Sequence, residues 1–141
     1  MPDSQQRPQR FITTDASCLG NPGMLEYRAL WGDTREVIFQ RGPFKNGTNN
    51  IGEYLALVLA IIWCQKNGQH NTPIYTDSIT AMAWVRKKKI GTKLTRTAQN
   101  AQLFDAMAIA QDWLLTHEYH NPILKWETDN WGEIPADYGR K

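Results

Sequence analysis

The chain has 141 residues, of which 41% are apolar, and this is enough for one compact domain and too short for two. Its two cysteines, Cys18 and Cys64, are too few for a disulfide framework, and its polar N-terminus does not resemble a secretory signal. It has no apolar run of membrane-spanning length and a net charge of only +2, so we expect a cytoplasmic monomer without a membrane or an obligate protein partner.

The N-terminal part of the domain is predicted to begin with a strand. Residues 1–9 are polar and favour a flexible arm, so the folded domain is expected over residues 10–141. Phe11–Thr14 is rich in aromatic and β-branched residues, which favour a strand. That strand is predicted to end at Asp15, because the turn-forming run 18–23 follows.

The next elements are two strands and a helix. Strands are predicted at Glu26–Trp31 and Glu36–Gln40, with a tight turn at Gly32-Asp33 between them. After a polar loop, apolar residues recur with the spacing of one helix face. These residues are Ile51, Tyr54, Leu55, Val58, Leu59 and Ile62.

In the second half of the chain, strands alternate with helices. The predicted elements are a strand at Ile74–Thr76, a helix capped by Ser78, a helix over Asn100–Thr116 and a strand at Ile123–Trp126. Strands that meander first and alternate with helices later predict a mixed sheet with helices packed on it, within the α/β or mixed α+β class.

Three acidic residues are predicted at positions where functional sites are built on such sheets. Asp15 follows the first strand, Asp77 follows the fourth, and Glu53 lies in the first turn of the helix between them. Each residue alone also has a structural explanation, because aspartates commonly cap turns and a first-turn glutamate complements the helix dipole. Their flanking residues distinguish the two explanations.

The flanking residues resemble three motifs of the ribonuclease HI family. The segments Thr14–Gly23 (TDASCLGNPG), Thr48–Glu53 (TNNIGE) and Tyr75–Ser78 (YTDS) match these motifs in order and on the expected elements. A fourth match is Ala136-Asp137, and the resemblance extends from about Arg10 to Tyr138. It implies a ribonuclease H-like fold, with a five-stranded mixed sheet and helices packed on both faces.

The same resemblance implies a metal-dependent endoribonuclease that cuts the RNA strand of RNA–DNA hybrids and leaves 5′-phosphate and 3′-hydroxyl ends. Phosphodiester hydrolysis is aided by two metal ions roughly 3.5–4 Å apart, and magnesium prefers oxygen ligands. In this family two Mg²⁺ ions, or Mn²⁺, fill that role. By resemblance, Asp15 bridges both ions, with Glu53 and Asp77 on one side and Asp137 on the other.

The assignment of the fourth acid depends on fewer matching neighbours than the assignments of the other three. Glu127, Asp129 and Glu133 also lie near the C-terminus and compete with Asp137. We prefer Asp137 because it is preceded by alanine and lies at the start of a predicted terminal helical turn, as the family's aspartate does.

Contacts to the hybrid are expected from polar loops and a basic segment. Recognition of 2′-hydroxyls needs short polar side chains and close backbone approach. By resemblance, Cys18, Asn21, Asn49 and Asn50 contact the nucleic acid, and Thr48 binds a DNA phosphate. The cations of the basic segment are Arg86, Lys87, Lys88, Lys89, Lys93 and Arg96, with no acid among them. A solvated helix end is the alternative for this segment, and a turn residue is the alternative for Asn21.

The chain also departs from the family pattern. Residues 128–133 contain no histidine, where many relatives carry one in a mobile loop, and Glu133 is the candidate replacement. Ala16 and Ile79 replace residues that are commonly glycine and glutamine. Two alternative functions are a hybrid-binding module with weak or no catalysis and a DNA strand-transfer or nuclease domain of the same broad fold; the four acids oppose the first, and the motifs over residues 20–23 and 48–50 oppose the second.

Overall fold

The computed structural model describes residues 9–139, so the predicted arm lies outside the described residues except for Gln9. The strands are β1 Ile12–Gly20, β2 Gly23–Trp31, β3 Val37–Gly47, β4 Ile74–Thr76 and β5 Ile123–Lys125. The helices are α1 Asn49–Lys66, α2 Ile79–Lys87, α3 Ala101–Thr116 and the short α4 Thr128–Trp131. Among residues 9–139, no helix combines the length and the apolar character that a membrane crossing requires.

The strands form one five-stranded sheet in the order β3-β2-β1-β4-β5. The first three strands pair antiparallel, whereas β4 pairs parallel with both β1 and β5. Short turns suffice for the antiparallel pairs, and the helices provide the longer connections that parallel strands need. The mixed sheet predicted from the sequence is therefore confirmed.

Both faces of this sheet are covered. Ile12 and Ala16 of β1 belong to the main apolar core, which also contains residues of α1, α2 and α3. Phe11 belongs to a second cluster with Tyr75 and Trp126, against which Trp131 of α4 packs. Because successive residues of a strand point to opposite faces, the second cluster lies on the face opposite to the main core. The prediction of helices on both faces is confirmed.

The first strand is longer than predicted, and Asp15 lies inside it rather than at its end. Residues 16–20 pair with residues 23–27 in continuous register, so the connection between β1 and β2 shrinks to Asn21-Pro22. The turn-forming residues mark the connection correctly but do not show how far the pairing extends towards it.

The third strand also extends beyond its predicted end, to Gly47, and it passes through Gly42-Pro43. Proline donates no hydrogen bond to a sheet and is tolerated mainly on edge strands. Strand β3 is an edge strand, and its pairing with β2 contains register shifts.

Candidate active site

Asp15 and Asp77 are brought together by the parallel pairing of β1 with β4. Thr13 is paired with Tyr75, and each aspartate lies two residues farther along its chain segment. Strand β4 ends at Thr76, so Asp77 follows the strand while β1 continues past Asp15. Asp15 therefore lies where its neighbouring strand stops, which leaves room beside it for a side chain from another element.

Helix α1 brings Glu53 to this position. The Thr48 hydroxyl caps the helix by accepting a hydrogen bond from the Ile51 amide, at 3.4 Å. Gly52 then allows the first turn to approach the sheet, because a Cβ atom there would lie 2.5 Å from Leu25 Cδ1 and 2.8 Å from Ala16 Cβ. This close approach brings Glu53 next to β1. Glu53 is only 2% exposed.

Asp15, Glu53 and Asp77 form one cluster. Each offers a carboxylate oxygen, and these oxygens all lie within 4.8 Å of one another. Asp15 and Glu53 are buried, and Asp77 is half-buried. Ionised carboxylates this close repel each other unless a cation compensates their charge. An all-oxygen donor set of this kind fits Mg²⁺ or Mn²⁺.

Asp137 lies outside this three-residue cluster, on a segment whose backbone is bound by Arg28, the residue opposite Asp15. Asp137 follows a turn at Pro135-Ala136 and not the predicted helical turn; its amide donates to the Ile134 carbonyl at 2.9 Å. Its Oδ2 accepts from the Gly139 amide at 3.1 Å, and its Oδ1 is buried. The helical residues of this region are instead Thr128–Trp131.

The burial of the C-terminal acids differs. Glu127, Asp129 and Glu133 are exposed, whereas Asp137 is half-buried. Burial also raises the pKa of the neighbouring Tyr138 hydroxyl to about 12, although the Gln40 hydrogen bond and the Arg28 charge both act to lower it. The partial burial of Asp137 distinguishes it from these three competitors.

The polar residues predicted to touch nucleic acid line one groove of about 450 Å³. It runs between the β1–β2 turn and the start of α1, and its lining includes Cys18, Asn21, Thr48, Asn49 and Asn50. The Cys18 thiol donates to the Gly47 carbonyl at 3.3 Å, which ties β1 to the end of β3. The structure thus brings together all five of these predicted residues.

The predicted basic residues are distributed differently. Arg86 and Lys87 lie in the last turn of α2, where cations complement the helix dipole, and Lys88 and Lys89 follow. All four side chains are exposed, and Arg86 lines a different groove, beside Tyr119. None of them lines the groove that contains Thr48 and Asn50.

Lys93, one of the predicted cations, and Trp84 lie nearer to that groove. Lys93 and Trp84 line a second cavity together with Asn21, Thr48 and Asn50. The Trp84 indole nitrogen would lie 2.9 Å from a Cβ atom at residue 91, so Gly91 permits this close packing. The segment between Lys89 and Thr97 forms no helix or strand, and therefore no periodicity in the sequence marks its position.

Solved structures share this fold. RNase H1 from the halophilic archaeon Halobacterium salinarum matches with a TM-score of 0.54 and 19% identity, covering 86% of this chain and 88% of that one. The N-terminal RNase H domain of a Mycobacterium tuberculosis protein matches with a TM-score of 0.53 and 20% identity, covering 83% and 85%. LC11-RNase H1 in complex with an RNA/DNA hybrid matches with a TM-score of 0.50 and 18% identity, covering 86% and 88%.

The sequence itself matches a family model. The model is that of RNase H, and the match extends over residues 7–126, which include Asp15, Glu53 and Asp77 but not Asp137. Because the match spans most of the chain and contains the three clustered acids, this protein belongs to the ribonuclease H family.

Proposed function

We propose that this protein is an endoribonuclease that hydrolyses the RNA strand of RNA–DNA hybrids and leaves 5′-phosphate and 3′-hydroxyl ends. The observation that carries the proposal is the cluster of Asp15, Glu53 and Asp77, whose oxygens lie within 4.8 Å of one another at one end of the sheet. A structural neighbour of the same family, LC11-RNase H1, has been solved with an RNA/DNA hybrid. Family membership and the acidic site together support this reaction.

The acids are proposed to hold two divalent ions, Mg²⁺ or Mn²⁺. Asp15 is central in the proposal because it neighbours Glu53 and Asp77 within the cluster and faces the segment that carries Asp137. When bound, two such ions stabilise negative charge on both the attacking and the leaving oxygen of a phosphodiester. The protein's part is to hold these carboxylates at one end of the sheet, with Asp15 and Glu53 buried and Asp77 and Asp137 half-buried.

The polar groove is proposed to hold the hybrid next to the acids. Cys18, Asn21, Asn49 and Asn50 offer short polar side chains to the minor groove, where 2′-hydroxyls distinguish RNA from DNA. The Thr48 oxygen accepts the helix-capping hydrogen bond, so its O–H remains able to donate to a phosphate. The cations of the 86–96 segment supply attraction to the phosphate backbone.

The test is cleavage of matched RNA–DNA, RNA–RNA and DNA–DNA duplexes in Mg²⁺ and in Mn²⁺. We expect cleavage of the RNA strand of the hybrid alone, no cleavage after chelation, and no cleavage by an Asp15→Asn variant that retains the native circular dichroism spectrum. Asp112→Asn makes the same chemical change at an exposed position of α3 and serves as the control.

Two results would contradict the proposal. One is cleavage of hybrids by Asp15→Asn at the wild-type rate. The other is hybrid binding by the wild type without cleavage at any metal concentration, which would identify a hybrid-binding module instead of a nuclease.

A further inference from the structure

Arg28 of β2 is the residue directly opposite Asp15 in the antiparallel pair of β1 and β2. Directly opposed residues of two strands point to the same face of the sheet, with their Cβ atoms about 4.5–5.5 Å apart. The Arg28 side chain therefore lies beside that of Asp15. It is half-buried, and it projects towards the C-terminal segment that crosses this face.

The guanidinium group of Arg28 binds both sides of Asp137. Its Nε donates to the Ala136 carbonyl at 2.8 Å, and its Nη2 donates to the Asp137 carbonyl at 2.7 Å. One carbonyl belongs to the peptide group that precedes the Asp137 Cα atom, and the other belongs to the peptide group that follows it. The two bonds therefore fix the backbone from which the Asp137 carboxylate extends.

Tyr138 adds a second attachment. The Arg28 guanidinium lies over the Tyr138 ring, 4.4 Å from its centroid. The Tyr138 hydroxyl donates to Gln40 Oε1 at 3.0 Å, and Gln40 is the residue opposite Arg28 on β3. Gln40, Arg28 and Asp15 thus form a row across three strands, and the segment with Asp137 is bound along that row.

We propose that Arg28 is a positioning residue that holds Asp137 beside Asp15 and so completes the metal site. The proposal rests on the proposed metal-dependent function for its catalytic consequence. The Arg28 guanidinium donates to the backbone carbonyls on both sides of the Asp137 Cα atom, so its effect on that residue is one of positioning. Arginine suits this task because its rigid fork presents two donors at once, which lysine does not.

Loss of the Arg28 side chain is expected to act locally. Ile134 remains anchored in the apolar cluster with Phe11, and the Asp137 amide still donates to the Ile134 carbonyl. The residues after Pro135 then lose the two donors that fix them. The fold is therefore retained while the position of the Asp137 carboxylate becomes less defined.

The first experiment measures Mn²⁺ binding, by calorimetry and by electron paramagnetic resonance, together with hybrid cleavage. Residues that orient metal ligands typically contribute about 10- to 100-fold to metal affinity or activity. We expect Arg28→Ala to weaken Mn²⁺ binding by about 10-fold or more and to raise the half-saturating Mg²⁺ concentration, with an unchanged KM for the hybrid. Arg28→Lys keeps the charge but lacks the fork, so we expect it to resemble Arg28→Ala.

Two variants make the result specific. Arg41→Ala removes the same charge from an exposed position of β3, where the side chain donates to the Gln40 carbonyl and lies over the Phe39 ring, and wild-type metal binding is expected. Asp137→Asn removes the carboxylate on which Arg28 is proposed to act. The effects of two substitutions are not additive when one residue acts through the other. Arg28→Ala should therefore cause no further loss of Mn²⁺ affinity in the Asp137→Asn background.

Wild-type Mn²⁺ affinity in a folded Arg28→Ala variant would overturn the proposal. Wild-type Mn²⁺ affinity in Arg28→Lys would do the same. So would an Arg28→Ala substitution that weakens Mn²⁺ binding as much in the Asp137→Asn background as in the wild type. Thermal unfolding of each variant separates these outcomes from a loss of structure. If the wild type failed to cleave hybrids, the proposed function would be wrong, but the Mn²⁺ titration would still test the role of Arg28.

Discussion

Gly52 of α1 lies so close to Leu25 of β2 that a Cβ atom at residue 52 would be 2.5 Å from Leu25 Cδ1. In an ordinary helix, replacing glycine by alanine stabilises by about 1 kcal/mol. Here overpacking reverses the sign, and we expect Gly52→Ala to lower the free energy of unfolding by about 1–3 kcal/mol. The displaced helix also moves Glu53, so cleavage should fall in the same variant.

Urea denaturation measures this change, and hybrid cleavage is measured on the folded fraction. A stabilised Gly52→Ala variant would mean that α1 does not need its close approach to the sheet.

The acidic cluster predicts opposite effects of Asp15 on stability and on metal binding. Without metal, Asp15→Asn removes one buried negative charge from beside Glu53 and Asp77, and we expect a gain of about 0.5–2 kcal/mol in the free energy of unfolding. A ligand that binds only the folded state at 100 times its Kd adds about 2.7 kcal/mol of stability. Mg²⁺ should therefore raise the Tm of the wild type much more than that of Asp15→Asn.

Thermal scans with Mg²⁺ and with a chelator provide the measurement, and Asp112→Asn provides the control for a change of one charge. An Asp15→Asn variant that is less stable than the wild type without metal would contradict the expected repulsion.

Lys93 and Arg86 allow a matched test of where the hybrid lies. Lys93 lines a cavity with Thr48 and Asn50, whereas Arg86 lines a different groove, with Tyr119. Each phosphate contact contributes about one unit to the slope of log affinity against log salt. We expect Lys93→Ala to raise the KM for the hybrid and to reduce that slope by about one, and we expect Arg86→Ala to have the smaller effect.

Hybrid binding measured at several salt concentrations decides between the two cations. A larger effect of Arg86→Ala would place the hybrid along the end of α2.

The two cysteines report on the groove. Burial raises the pKa of the Cys64 thiol to about 11 and also raises the pKa of the half-buried Cys18 thiol. The thiolate is the reactive form, so both thiols react slowly at pH 8 and faster as the pH rises towards these pKa values. We expect Cys18 to be alkylated first, with protection by bound hybrid, and Cys64 to react only on unfolding.

Mass spectrometry after timed alkylation identifies the modified cysteine, and experiments in chelator prevent cleavage of the hybrid. Equal labelling of Cys18 with and without hybrid would mean that the groove is not occupied.

The elements that were predicted correctly are those that are specified by neighbouring residues in the sequence. Helices α1 and α3 have long apolar periodicities, and the predicted cap of α2, Ser78, accepts a hydrogen bond from the Ala81 amide at 3.0 Å. The motifs around Asp15, Glu53 and Asp77 were sufficient to predict that these residues share a site, and the structure places them in one cluster.

The features that were missed depend on contacts between distant segments. The length of β1 is set by its pairing with β2, which turn-forming residues do not show. The position of Asp137 depends on Arg28, which lies 109 residues away in the sequence and is part of no motif. Lys93 was predicted as a cation of the basic segment, but its place beside Thr48 was not, because that segment is irregular and has no periodicity.

The proline in β3 has a consequence for self-association. A strand from another molecule can add only to an edge with a continuous run of backbone donors and acceptors. One edge of the sheet is interrupted by Pro43 and by register shifts, and the other edge is β5, which has three residues. Neither edge offers a long template for strand addition, so we expect the native protein to resist β-aggregation even in concentrated solution.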